Sequence, residues 1–131
     1  MRLITQLEFD ALPTKDGLKR CPVRDYSSIA AFTVPCRFTA SSRFADRTMF
    51  TQGCEFKQGC RFGHDCMFGA GCTFGAACAF APGCMFGPEC NFGTYCDFGL
   101  RMAFAVGCTY GAWCNHRGGL SNNLFNTKEL T

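Results

Sequence analysis

Cys54-Glu-Phe-Lys-Gln-Gly, Cys60-Arg-Phe-Gly-His-Asp, Cys66-Met-Phe-Gly-Ala-Gly and Cys72-Thr-Phe-Gly-Ala-Ala follow one another without a gap. Counting in sixes outward from this run gives fifteen hexads from Ala30 to Gly119 with no insertion, written Cys-x-Phe-Gly-x-x. A unit this short cannot bury its own apolar face, so a fixed short period means that neighbouring units stack and bury it for one another. The chain therefore predicts a β-solenoid.

The array takes about two-thirds of a 131-residue chain, so a single domain must build its core as a stacked column. Thirteen of the fifteen Phe occupy the third hexad position, where Tyr110 and His116 are the replacements, and eleven of the twelve Cys occupy the first. Alternation puts Cys inward, the next residue outward and Phe inward. Gly then opens a turn, where a sharp corner favours φ > 0. Thr33, Thr39, Thr51 and Lys57 stand at that place in early hexads, which predicts less regular corners there.

Ala30, Ser42 and Thr48 stand where Cys stands elsewhere, so the column asks for a small residue rather than a thiol. Reduced, buried Cys used as filler is the expectation, and no Cys-x-x-Cys pair occurs to chelate zinc. Cys stacked about 4.8 Å apart lie within bridging range, which leaves oxidation open. The first ten residues, Met1 to Asp10, have no apolar h-region, and no transmembrane segment is evident. A cytoplasmic protein of the producing or host cell follows as the expectation, with no membrane partner and no cofactor.

Residues 1–29 precede the array and are expected to cap it. Leu3, Thr5, Leu7 and Phe9 alternate as a short strand would, Asp16-Gly17 signals a turn, and Leu3, Leu7, Phe9 and Leu12 are placed over the first Phe rung. At the other end, residues 120–131 are a second cap or a short helix, with Ser121 as its N-cap and Leu120, Leu124 and Phe125 over the last rung.

Read from the Phe, the hexad is a large apolar residue, Gly, two variable residues, a small residue and one more variable residue. This resembles the hexapeptide repeat of left-handed parallel β-helices over residues 30–119, with Phe where that family mostly has Leu, Ile or Val, and Cys where it mostly has Ala, Ser, Thr or Val. The resemblance implies an all-β fold, a single-stranded left-handed β-helix of triangular section, with about five coils of eighteen residues. Pentapeptide-repeat proteins, four-sided and right-handed, are more distantly similar. The outward position tests three sides against four. At eighteen residues per coil it sorts into Ala31, Met49, Met67, Met85, Ala103; then Arg37, Glu55, Thr73, Asn91, Thr109; then Arg43, Arg61, Ala79, Asp97, Asn115. One column is wholly apolar, whereas twenty-four residues per coil would scatter the three Met.

Of the twelve charged residues in the array, only Glu89 belongs to the first of these sets. That side presents Met49, Met67 and Met85 in line with Ala31 and Ala103, flanked at the turns by Val34 and Val106, and an apolar strip of this kind marks an interface with another protein or with a second or third copy of the chain. Residues 15–61 hold nine Lys or Arg against four acids, so Lys15, Lys19, Arg20, Arg24, Arg37, Arg43, Arg47 and Arg61 form a candidate basic contact surface. Nucleic acid is a weaker reading of that surface, because acids interleave and the net charge is only +3. Hexapeptide-repeat acyltransferases use a His near a loop that leaves the coil, and no such loop is present here. The related carbonic anhydrases need three His, whereas this chain has His64 and His116. His64, beside Asp65, reads as half of a surface pair, and His116 as the end of the Phe stack. The expectation is a non-enzymatic binding module, an inhibitor or adaptor of bacterial or viral origin. The alternative is a hexapeptide-type transferase or small-ligand oligomer with sites between subunits.

Overall fold

A computed structural model describes residues 1–117 and the backbone of Thr127–Glu129. The array forms strands mostly two residues long, one outward residue followed by one Phe, because each hexad supplies only that much extended chain between corners. Each strand pairs in parallel with the one eighteen residues on, as in Met49↔Met67, Glu55↔Thr73 and Ala79↔Asp97. Three sheets result, one for each outward column, and they make a three-sided β-solenoid of about five turns. The first side carries the Met column, the second runs from Arg37 to Thr109, and the third runs from Arg43 to Asn115.

The interior is three Phe columns packed as a herringbone. Phe68 stacks on Phe50 at 4.8 Å and on Phe86 at 4.9 Å, with interplanar angles of 1° and 8°. It meets its neighbours on the other sides edge-on, Phe62 at 83° and Phe74 at 82°. The strand spacing sets the centroid separation near 4.8 Å, and at that distance offset stacking within a column and edge contacts between columns are both favourable arrangements of aromatic quadrupoles. His116 continues the third-side column, stacked on Phe98 at 4.8 Å.

The glycines after Phe have a different reason from the one expected. Gly63, Gly69, Gly75, Gly87, Gly93, Gly99 and Gly111 do not have positive φ. A Cβ at Gly69 would instead meet the Gln52 nitrogen of the coil below at 2.5 Å, and one at Gly75 would meet the Gln58 nitrogen at 2.6 Å. Close approach of stacked backbones is what demands Gly there. The left-handed residue lies two places later, at Gly53, Gly59, Gly71, Gly83 and Gly107, and also at Ser41, Arg47, Asp65, Ala77, Glu89, Tyr95, Arg101 and Trp113. The corners at Thr51 and Lys57 keep the same hydrogen bond to the coil below (3.0 and 3.1 Å) as Gly69 does (2.9 Å), so they are as regular as the others in that respect.

The small column does more than fill space. Cys72 Sγ donates to the Thr51 carbonyl at 3.5 Å and Cys90 Sγ to the Gly69 carbonyl at 3.4 Å, each twenty-one residues back. Ser42 and Thr48, both fully buried, donate their hydroxyls to Thr39 O at 2.9 Å and Ala45 O at 2.7 Å. The position therefore favours a small residue with a donor for a corner carbonyl that water does not reach. All twelve Cys are free thiols.

In residues 1–29 the expected short strand is largely replaced. Leu3 keeps strand pairing, in a parallel bridge to Asp25, and from Gln6 the chain is a helix, α1 (Gln6–Asp10), started by a capping box in which the Glu8 N–H donates to Thr5 Oγ1 and the Thr5 N–H donates to the Glu8 carboxylate. Phe9 is buried, edge-on to Phe32 at 5.2 Å, and Ile4 is buried as well, whereas Leu3 and Leu7 are exposed and Leu12 is half-buried. The Asp16-Gly17 turn joins β1 (Thr14–Lys15) to β2 (Leu18–Cys21), both turn residues having positive φ. From β2 onward the chain is already rod: Arg20 pairs with Arg37, Asp25 with Arg43, and Tyr26 stacks on Phe44 at 5.5 Å. Parallel pairing thus begins before Ala30. Arg24 in the small position hid a sixteenth hexad in which Tyr26 takes the Phe slot. The expected Ser121 helix lies outside the described residues. The strand Thr127–Glu129 pairs in parallel with Cys108–Tyr110.

Candidate functional site

The first side holds Met49, Met67 and Met85 in register, each pointing outward from a backbone fixed by a buried Phe one residue later. They are 53%, 45% and 43% exposed, with Ala31, Val34 and Val106 also exposed. Ala103 is buried, so it leaves the candidate face, which ends at Met85. The corner leading off this side carries Val34, Gln52, Ala70, Pro88 and Val106, whereas the corner leading onto it carries Arg47, Asp65 and Arg101. The strip therefore has one largely neutral edge, charged at Glu89 alone among the described residues, and one charged edge.

The basic residues are not one patch. Arg20 and Arg37 lie on the second side, Arg43 and Arg61 stack on the third beside Asp25, and Arg47 stands at the corner between the third and first. Three of the expected contacts are tied to their own fold. Lys19 Nζ donates to Asp10 O (3.2 Å) and Leu12 O (3.0 Å) behind α1 and sits 5.1 Å from the Phe9 ring centre. Arg24 is half-buried and donates to Val23 O. Arg37 pairs with Glu55 at 3.0 Å. Lys15, Arg20, Arg43, Arg47 and Arg61 remain exposed and have no ion pair among the described residues.

His64 is exposed, and its link is to Asp46 rather than Asp65: its backbone N–H donates to the Asp46 carboxylate at 2.8 Å. On the third side Asp97 holds Arg117 through two bonds of 2.9 and 3.1 Å. Hydrogen bonding to the thiols above and below, then burial, pushes Cys36, Cys72 and Cys78 far above the usual thiol range. Burial pushes Cys114 up as well. Among the described residues no group of three or more His, Cys, Asp or Glu is placed to hold a metal ion, and no helix is long and apolar enough to cross a membrane.

Two further features lie away from the Met strip. Tyr95 and Trp113 share a corner column one coil apart, both left-handed in φ and both strongly exposed. A recess of about 380 Å³ opens on the second side between Leu12, Pro13, Pro22, Arg20, Arg37 and Lys57. It is built by a fold-back of residues 12–22 that no periodicity announces.

The class these observations define is a three-sided parallel β-solenoid with a herringbone Phe core and thiol-lined columns. Compared with protein-family models, curated proteins and solved structures, the chain has no match.

Proposed function

We propose that the chain is a non-enzymatic binding module that grips, and by gripping inhibits, another protein through the Met strip and the exposed arginines of its N-terminal half. One observation carries this reading: Met49, Met67 and Met85 stand exposed in a line on a side whose backbone the Phe columns hold rigid. A rigid frame loses little entropy on association, and Met side chains adapt to a partner's relief. The charged corner of Arg47, Asp65 and Arg101 supplies a polar rim on one edge. Arg43 and Arg61, directly opposite each other, give the module a preference for an acidic partner surface. The eighteen-residue register supports the likeness to hexapeptide-repeat β-helices, and a left-handed coil is what that likeness implies. Twelve free thiols support a reducing compartment such as cytoplasm.

The test is affinity capture from cell extract with the wild type, Met67→Asp, Arg43→Glu and, on the second side, Asn91→Asp. The reading expects one captured protein, lost with Met67→Asp, weakened about tenfold with Arg43→Glu and kept with Asn91→Asp. Equal capture by all four variants contradicts it.

A further inference from the structure

The recess on the second side has the chemistry of a small-molecule site. Its floor is the stacked pair β2 and Cys36–Phe38, with Cys21 buried beneath it. Its walls are Leu12 and Pro13 from the link after α1, and Pro22 from the turn after β2. Arg20, Arg37 and Lys57 line it, and Glu55, which holds Arg37 through Nε alone, is the only carboxylate paired with any of the three among the described residues. Arg20 and Lys57 have no acid partner among the described residues. The Thr39 hydroxyl is committed to the Cys21 carbonyl at 2.9 Å, which leaves the cations as the donors facing the space.

The ladder supplies an independent sign. Arg20 and Arg37 are direct cross-strand partners, and like charges placed directly opposite destabilise a pairing. An anion between the two guanidinium groups turns that repulsion into attraction. The volume, about 380 Å³, falls at the lower end of the range of small-molecule pockets. Apolar walls on one side and donors on the other suit an amphipathic anion rather than a bare ion.

We propose that this recess binds a small oxyanion, a phosphate monoester or carboxylate carried on a compact apolar or planar body, with the oxyanion between Arg20, Arg37 and Lys57 and the body against Leu12, Pro13 and Pro22. The site does not rest on the protein-partner reading. A chain that captures no partner still holds the anion, and a chain that holds no anion still captures its partner through the Met strip.

The experiment is an amide-resolved NMR titration of the full chain with phenyl phosphate, benzoate, inorganic phosphate and benzyl alcohol, for the wild type and for Arg20→Gln and Lys57→Gln. Saturable shifts at Arg20, Thr39 and Lys57, with phenyl phosphate or benzoate at least about tenfold tighter than inorganic phosphate and benzyl alcohol silent, are expected. Whichever of the two aromatic anions binds tighter names the head group. Each Gln variant is expected to weaken binding about tenfold while its amide spectrum elsewhere stays that of the wild type, and added salt is expected to weaken it further. Lys57 is an exposed corner residue, so its variant keeps the test readable if Arg20→Gln disturbs the hairpin. Three results overturn the proposal: no saturable shift with either aromatic anion, shifts spread equally over Arg43 and Arg61, or wild-type affinity in the Lys57→Gln variant.

Discussion

Two glycines two residues apart separate the forces that set this repeat. Gly69 has an ordinary φ but sits against the backbone of the coil below, whereas Gly71 has φ +68 and open space around it. Gly69→Ala forces stacked coils apart and is expected to cost about 3 kcal/mol, while Gly71→Ala meets only the left-handed penalty of about 1 kcal/mol. Denaturant unfolding of both variants checks the order, and a larger loss at Gly71 contradicts it. The sequence showed that Gly recurs after Phe, but residue type alone does not distinguish a tight approach from a positive φ. The Cys column was more legible, because Ser42 and Thr48 in the same slot already pointed to a small residue. Its hydrogen bonds to corner carbonyls were not legible, since thiols such as Cys72 and Cys78 reach an acceptor twenty-one residues back. The columns also make a pH prediction. Thiols held above their unfolded pKa keep their protons when the unfolded chain loses them, so between the unfolded and folded pKa the folded state binds more protons and stability falls as pH rises. Hydrogen bonding along a column raises Cys36, Cys72 and Cys78 but lowers their partners Cys54, Cys60 and Cys90, so the net loss rests on burial, which acts upward on all of these thiols, and it begins near the ordinary thiol range. The melting temperature is expected to be flat from pH 7 to 8 and to drop steeply by pH 10. A flat profile to pH 10 contradicts it.

At the scale of elements, α1 shows how a local signal outweighs a weak period. Leu3, Thr5, Leu7 and Phe9 alternate as a strand would, yet Thr5-x-x-Glu8 is a capping box and closes the turn on its own backbone. Ile4 and Phe9 then reach the core, Phe9 as an edge-on lid on Phe32 and Tyr26. Lys19 holds the end of that helix through the Asp10 and Leu12 carbonyls, which is why a residue that reads as a surface cation serves the fold instead. Thr5→Ala is expected to lower stability by about 1 kcal/mol and to speed amide exchange at Phe9 while leaving the Phe68 coil protected. Unchanged exchange at Phe9 would refute the lid. The strands themselves were legible because Phe recurs without a slip from Phe32 to Phe104. Tyr26 was not, since its hexad carries Arg24 in the small slot and no Gly after the aromatic residue.

At the scale of the molecule, one repeat length fixes both the core and the surface. Eighteen residues per coil return every third hexad to the same side, so three Met spaced by eighteen become an exposed line and most array charges gather on other sides and corners. This much of the candidate surface was readable from the sequence. The spread of Arg37, Arg43 and Arg61 over two sides follows from the same sorting, whereas the burial of Ala103 was not legible, because it depends on what lies above and below its coil. The recess was hidden for the same reason, being made where the N-terminal hairpin folds back onto the rod. On the proposed function, the Met strip is a free recognition face that the fold itself does not need. Native mass by light scattering together with thermal unfolding, for the wild type and Met67→Asp, tests this. Both proteins are expected to be 14.4 kDa monomers of equal melting temperature. A wild-type dimer or trimer that Met67→Asp splits makes the strip a seam between copies, and a Met67→Asp monomer that melts well below the wild type makes it part of the core. Either result contradicts the account.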